Sequence, residues 1–581
     1  MTRLWNEPAD FADEMIEGFV AANSRYVRRV TGGVVRSTVV PAGQVAVVVG
    51  GGSGHYPAFA GLVGPGFAHG AAMGNLFASP STQQVHAVAK AADAGGGVFF
   101  SYGNYAGDVL NFDAAQERLR AEGIPCETVT VTDDIFSARV AEKHKRRGIA
   151  GDLTVFRIAA AAAESGADLA EVTRLARLAN ERTRSFGVAF TGCTLPGAEQ
   201  PLFSVPEGRM AVGLGIHGEP GIDETDIPTA DGLAEMLVSR LLEELPEGVE
   251  DAAGARVIPV LNGLGSLKYE EMFVVYRRIA QLLENAGLEI VDPHVGEYCT
   301  SFDMAGTSLT LFWLTDELEQ LWETPVDTPA YRRGAVAAAA RADVTTDAAA
   351  AASEIPPTDA ESRALAATVQ HALKTIADTV DAHVDELGRI DAIAGDGDHG
   401  IGMQRGSHAA VTGGTAAFEA GAGARTTLER AADAWSDRAG GTSGALWGVI
   451  LTRLAAALGD TARPGAAEVA AGVADAVAAV MSYGKAEVGD KTMVDALVPF
   501  SQALTDAVEQ GAPFTEAWSV AAAAATSAAT ATADLLPRMG RARSHGEHSV
   551  GTPDPGAISF ALIVTAVGDV LAADLVPEDR A

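Results

Sequence analysis

IAGDGDHG, residues 393–400, with Asp391 just ahead of it, is the stretch on which the reading of this chain turns. Upstream, Leu365, Val369, Leu373, Ile376, Val380 and Leu387 recur at three, four and seven residues, the signature of one face of a long helix. Downstream, Ala-rich helical stretches fill 427–439, 444–458, 466–483, 493–510 and 513–535, and strand signals are nearly absent. The pattern predicts an all-α bundle or barrel with functional loops at one end. The stretch itself crowds Asp391, Asp396 and Asp398 into a glycine-rich turn. Those carboxylates repel one another unless a cation sits between them, and Mg²⁺ takes oxygen ligands shared with substrate phosphates. A solvated acidic loop is the other reading of the same string.

Toward the N-terminus the character changes. Residues 325–360 are rich in Ala, Pro and Thr and read as an interdomain linker. Before them, apolar runs lead into glycine turns: Val45–Val49 into Gly50-Gly51-Gly52, Gly97–Phe100 into a second turn, and Arg256–Leu261 into Asn262-Gly263. Helical segments such as Leu169–Arg184 lie between them, an α/β alternation. A break near 185–200 suggests two α/β lobes. The expected organisation is an α/β domain over 1–325, a linker over 326–360 and a helical domain over 361–581.

At 581 residues, 48% of them hydrophobic, the chain is long enough for several cores. No apolar run is read as approaching the ~20 residues of a membrane span, and the acidic start lacks a signal-peptide core. Cys126, Cys193 and Cys299 have no metal or redox spacing. A reduced, cytoplasmic protein is expected. The net charge of −34 argues against nucleic acid as partner. An anionic substrate would need metal or local cations to approach.

Three further loops of the helical half carry chemistry beside the aspartates and His399. Gly440-Gly441-Thr442-Ser443-Gly444 opens a helix, where free N–H groups favour phosphate, although a close helix crossing uses the same residues. VGDKTMVDAL (488–497) holds Asp490, Lys491, Thr492 and Asp495. GRARSHGEHSVGTPDPGA (540–557) offers Arg541 as a cation for phosphates. Together the loops describe a site for Mg²⁺ and a polyphosphate. In the α/β half, GGGSGHYPAFAG (50–61) lacks the Walker and Rossmann spacings but lets His55 project from a tight turn. Asp108 follows a turn in NYAGDVLNF (104–112), and His217 stands between glycines in GLGIHGEPG (213–221). Strand ends of open α/β sheets are where ligands bind.

GGGSGH, NYAGDVLNF, GIHGEPG and TSFDMAGTSLTL, followed by D-x₄-GDGDHG, GGTSGALWG, GDKTMVDAL and the last loop, resemble the dihydroxyacetone kinase family in order and over nearly the whole chain. The fused form resembles the ATP-dependent kinases rather than the phosphotransferase-system enzymes. The resemblance implies that His217 holds a small ketose as a covalent hemiaminal, which needs neutral imidazole. It implies Asp108 as base, with His55 polarising the substrate beside it. Gly52, Ser53, Gly54, Tyr56 and Gly103 would bind the ketose. Asp391, Asp396 and Asp398 would hold two Mg²⁺. His399, Gly441, Thr442, Ser443 and Gly444 would meet ATP, as would Lys491, Thr492, Met493, Arg541, Asp554 and Gly556.

The chain departs from the family pattern at Tyr56, where Glu is usual, and at Gly103, where Lys is usual. His545 and His548 stand where Tyr and Arg are common. Gly103 is expected to leave room for an added hydroxymethyl group and Tyr56 to supply a pocket wall, which favours erythrulose over dihydroxyacetone. The family also contains members that cyclise FAD with release of AMP, and non-catalytic ketose sensors. A homodimer built through the α/β half is expected.

Overall fold

The computed structural model describes residues 4–198, 200–213, 215–216, 223–335, 337, 355–394, 397–539 and 549–574. The chain divides into two compact units, residues 1–347 and 348–581.

The first unit is built on two sheets. Its strands are β1 (Val27–Val30), β2 (Gly33–Arg36), β3 (Ala46–Ser53), β4 (Gly70–Leu76), β5 (Val98–Gly103) and β6 (Cys126–Val131), in the order β1-β2-β4-β3-β5-β6. β3 pairs parallel with both β4 and β5. The unbroken apolar run of β3 is what burial on both faces requires. Val47 and Val49 enter one core, while Ala46 and Val48 enter another on the opposite face. Helices α1 (Phe11–Asn23), α2 (Thr82–Ala92), α3 (Ala106–Ala121), α4 (Asp152–Glu164) and α5 (Leu169–Glu181) accompany this sheet. The chain leaves β3 toward β4 and leaves β5 toward β6, on opposite sides. The C-terminal ends of β3 and β5 therefore form a switch point, the crevice where such sheets take ligands.

The second sheet has seven strands: β7 (Thr183–Ala189), β8 (Arg209–Val212), β9 (Asp223–Asp226), β10 (Arg256–Gly263), β11 (Glu289–Ile290), β12 (His294–Gly296) and β13 (Gly306–Trp313). It is mixed, with β13 antiparallel to β7 and β10. Helices α6 (Ala230–Leu242) and α7 (Tyr269–Asn285) share its core, and α8 (Asp316–Trp322) lies against α4. The break between lobes thus falls earlier than 185–200: β7 already belongs to the second sheet, and α4 and α5 bridge the gap. Residues 326–333, linker-like in composition, form the hairpin β14 (Val326–Asp327) and β15 (Arg332–Arg333), with Tyr331 buried in the first core.

The second unit is helical throughout its described residues. It comprises α9 (Ala360–Ala394), α10 (His399–Glu419), α11 (Ala424–Ala439), α12 (Gly441–Leu458), α13 (Ala466–Gly484), α14 (Val494–Glu509), α15 (Phe514–Ala531) and α16 (Pro555–Asp574). Each helix packs on the next and α16 packs on α9, closing an eight-helix ring. Alanines on the inward faces are too small to fill its centre, which holds an apolar cavity of about 460 Å³ lined by Val369, Leu373, Trp447, Leu451, Phe500 and Phe560 among others. Three helices, Gly441–Leu458, Ala466–Gly484 and Pro555–Asp574, are long and apolar enough to cross a membrane by length and composition, which corrects the expectation that no run reaches that length. Their large residues, among them Trp447, Val480 and Phe560, join the ring's core.

Candidate active site

In a ring of successive antiparallel helices the connections alternate between its two ends. The four loops marked as chemical join α9 to α10, α11 to α12, α13 to α14 and α15 to α16, so all four fall at one end. The N-termini of α10, α12, α14 and α16 converge there, and their free N–H groups and dipoles favour anions. This supplies positive potential to a chain that is strongly acidic overall.

His399 ties the loops together. Its backbone N donates to Asp391 Oδ2 at 3.1 Å, and its ring joins Ser559 Oγ at 2.9 Å and Ser443 Oγ at 3.4 Å. Burial lowers its pKa, against the opposing charge of Asp391, so the ring is neutral and positions the starts of α12 and α16. Ser559 has no motif around it, and the sequence reading missed it. Gly440, at φ +63°, and Gly441, at φ +60°, make the turn into α12 in a region that side-chain-bearing residues rarely adopt. Thr442 and Gly444 follow in its first turn.

Asp495 closes the third loop, accepting from Gly489 N at 2.6 Å and Thr492 N at 2.8 Å. Lys491 is buried, and its ammonium donates to the carbonyls of Ser549 at 2.6 Å and Leu535 at 3.2 Å. It anchors the last loop from below. Asp554 caps α16, accepting from Ala557 N at 2.7 Å. Gly556 lies against Met493, bringing the third and fourth loops into contact. Arg541, His545 and His548 lie outside the described residues.

Asp391, Asp398 and Asp554 offer oxygen donors of the type a divalent cation takes. Asp398 has an open surface, yet crowding by protein withdraws solvation and Asp391 adds repulsion, pushing its carboxyl up to about 6. Burial pushes Asp554 to about 7, with Asp495 and Asp391 reinforcing the rise. Carboxylate oxygens whose charged forms burial and mutual repulsion penalise, against the smaller pull of Arg405 and Lys491, are donors of the kind Mg²⁺ takes. Among the described residues no group of three or more His, Cys, Asp or Glu is gathered to hold a metal; Asp396 lies outside them.

In the first unit, Gly50, Gly51 and Gly52 at the end of β3, Gly103 at the end of β5, His55, Phe59, Tyr105, Asp108, Asp152 and Ile216 line one small cavity. A Cβ on Gly51 would stand 2.5 Å from the Phe59 ring, so the strand end must be glycine. His55 is buried and its Nδ1 lies 2.8 Å from the carbonyl oxygen of Thr300, in the second lobe. A carbonyl only accepts, so Nδ1 carries the hydrogen of this contact. The ring stacks on Phe77 at 5.0 Å. Asp108 is buried in the first turn of α3.

His217 lies outside the described residues, but Ile216, immediately before it, lines the cavity, and its carbonyl accepts from Ser301 Oγ at 2.6 Å. Ser53 spends its hydroxyl on the carbonyl of Gly74, at 2.7 Å, and neither it nor Gly54 lines the cavity. Tyr56 does not line it either. Its side chain is 49% exposed and packs edge-on against Phe19, so it is not the expected wall. The space expected at Gly103 is partly filled as well. A Cβ there would meet the Tyr105 ring at 3.1 Å, and the Tyr105 hydroxyl donates to the carbonyl of Gly148 at 3.0 Å.

Comparison with known proteins agrees with this arrangement. Residues 17–330 match the Dak1 domain and residues 393–569 the DAK2 domain. An L-erythrulose kinase of Pectobacterium atrosepticum is 61% identical over 99% of this chain and 97% of its own. A D-erythrulose kinase of Mycolicibacterium smegmatis is 53% identical over 98% of each. Among solved structures, the dihydroxyacetone kinase from C. freundii in complex with AMP-PNP and Mg²⁺ is 28% identical, with a TM-score of 0.52, covering 98% of this chain and 99% of that one. The chain is a kinase, a phosphotransferase that carries a Dak1 and a DAK2 domain together. The chain belongs to the dihydroxyacetone kinase family.

Proposed function

We propose that the acceptor of this ATP-dependent ketose kinase is a four-carbon ketose, erythrulose, held on His217 as a hemiaminal. The full-length likeness to erythrulose kinases carries this reading. The convergence of His55, Asp108 and Ile216 on one cavity at the switch point agrees with it.

In this reading the unprotonated imidazole nitrogen of His217 adds to the ketose carbonyl carbon, and the imidazole proton ends on the former carbonyl oxygen. His55 would bind and polarise the ketose beside it. Asp108 takes the proton of the reacting hydroxyl while its oxygen attacks the γ-phosphorus of ATP and the bond to ADP breaks. Asp391, Asp396 and Asp398 would hold two Mg²⁺, which neutralise charge on the phosphates. The N-termini of α12 and α16, pinned by His399, orient the nucleotide. The cytoplasm and a homodimer formed through the α/β unit complete the proposal; sedimentation at working concentration tests the dimer.

The test of the acceptor is kcat/KM for both erythrulose enantiomers against dihydroxyacetone. A preference for one erythrulose enantiomer is expected. A preference for dihydroxyacetone would overturn the four-carbon reading and leave the kinase intact.

A further inference from the structure

Asp152 is the second acid lining the ketose cavity, beside Asp108. It stands in the first turn of α4, is 1% exposed, and has no hydrogen-bond partner at either carboxylate oxygen. It lines the same cavity as His55, Asp108 and Gly103. An acid in a first turn commonly serves the helix dipole, but that role needs no burial. Leaving a buried polar group unmatched is destabilising, the more so when it is charged. Its buried neighbour Asp133 shows the contrast, accepting from Ile149 N at 2.9 Å and Gly151 N at 2.8 Å.

The surroundings of Asp152 point it at substrate. A Cβ on Gly148 would meet Gly103 Cα at 2.5 Å and Asp152 Oδ1 at 3.0 Å, so this carboxyl borders the strand end where the family's lysine is missing. Burial first, and then the charges of Asp133 and Asp108, push the Asp152 carboxyl well above the usual carboxylate range. The protonated group is at once donor and acceptor, as a hydroxyl ligand requires.

We propose that Asp152 binds the hydroxyl on the fourth carbon of the ketose and is the residue that selects for it. This rests on the four-carbon reading above. The carboxyl O–H donates to that hydroxyl, and the second carboxyl oxygen accepts from it.

The experiment measures kcat/KM of the full-length protein, wild type and the variants Asp152→Leu and Asp152→Asn. Substrates are the preferred erythrulose, its deoxy analogue whose fourth carbon is a methyl group, and dihydroxyacetone. Asp152→Leu should lose about 10- to 100-fold on erythrulose, the range for one strong hydrogen bond, and little on the other two. Asp152→Asn should retain part of the preference. The melting temperature of the ligand-free Asp152→Leu protein should hold or rise, since no partner is lost. A residue with a structural role would instead depress all three substrates and the melting temperature together, and that result would overturn the proposal. So would a wild-type preference for erythrulose that persists in Asp152→Leu. A wild type that prefers dihydroxyacetone would show that the four-carbon reading itself fails, and the assignment of Asp152 would fall with it.

Discussion

Replacing Lys491 by Met separates two roles for the buried cation of the nucleotide loops. The side chain is 3% exposed and its backbone sits at φ +61°, an unusual conformation for a residue other than glycine. Its ammonium donates to the carbonyls of Ser549 and Leu535, clamping both ends of the segment that leads into α16. Hydrogen bonds from a charged donor contribute roughly 1.5–3 kcal/mol each. Burying the ammonium opposes this, as its lowered pKa records, with Asp554 and Asp534 pulling the other way. The low end for two bonds gives about 3 kcal/mol lost in Lys491→Met. At roughly 2–4 °C per kcal/mol for a domain of this size, melting should fall by about 6–12 °C. Scanning calorimetry of the full chain without nucleotide measures it. A side chain that met phosphate directly would behave in the opposite way, with the ligand-free melting temperature unchanged and KM for ATP raised. That pattern would refute the anchoring role.

Two other outcomes follow from the same structure. In the proposed metal site Asp398 would have to be ionised to hold Mg²⁺, and burial first, then the charge of Asp391, pushes its carboxyl from the ordinary 3.8 up to about 6. Its contribution to folding is therefore full below the unfolded value and lost as pH rises through about 6, whereas metal affinity moves the other way. Mg·ATP affinity should fall about 10-fold between about pH 7.5 and about pH 5 by titration calorimetry, and a flat profile would exclude proton–metal competition at this group. Glu244→Gln leaves Arg146 and Arg184 without the carboxylate that pairs with them at 2.6, 2.8 and 2.9 Å. Urea unfolding should show a loss of about 3–5 kcal/mol, and a change below about 1 kcal/mol would mean that water reaches the pair.

Much of the fold is legible in periodicity. The run Val45–Val49, ending in glycines, reads as a strand, and the three-and-four spacing from Leu365 to Leu387 reads as a helix with one buried stripe; both elements form. Counting helices even places the four chemical loops at one end, because loops in such a ring alternate. Periodicity says which face is buried but not by what. That β7 joins the second sheet, that α16 closes on α9, and that residues 326–333 fold back as a hairpin depend on long-range pairing that local sequence does not carry. The same limit governs the sites. His55, Asp108 and His399 stand beside glycines and were readable; Ser559 and Asp152 sit in ordinary helix starts, and only their neighbours reveal them. Tyr56 follows His55 in sequence, yet it points to the surface because His55 takes the inward position.

Ketose-dependent ADP release tests whether the ketose is carried by His217 and phosphorylated by ATP bound to the helical domain, as proposed. Wild type and His217→Ala are compared with Mg·ATP affinity measured in parallel. The expected result is ADP release by wild type only when ketose is present, a large loss in His217→Ala, and unchanged Mg·ATP binding. Full activity in His217→Ala, or ADP release that ignores the ketose, would contradict it.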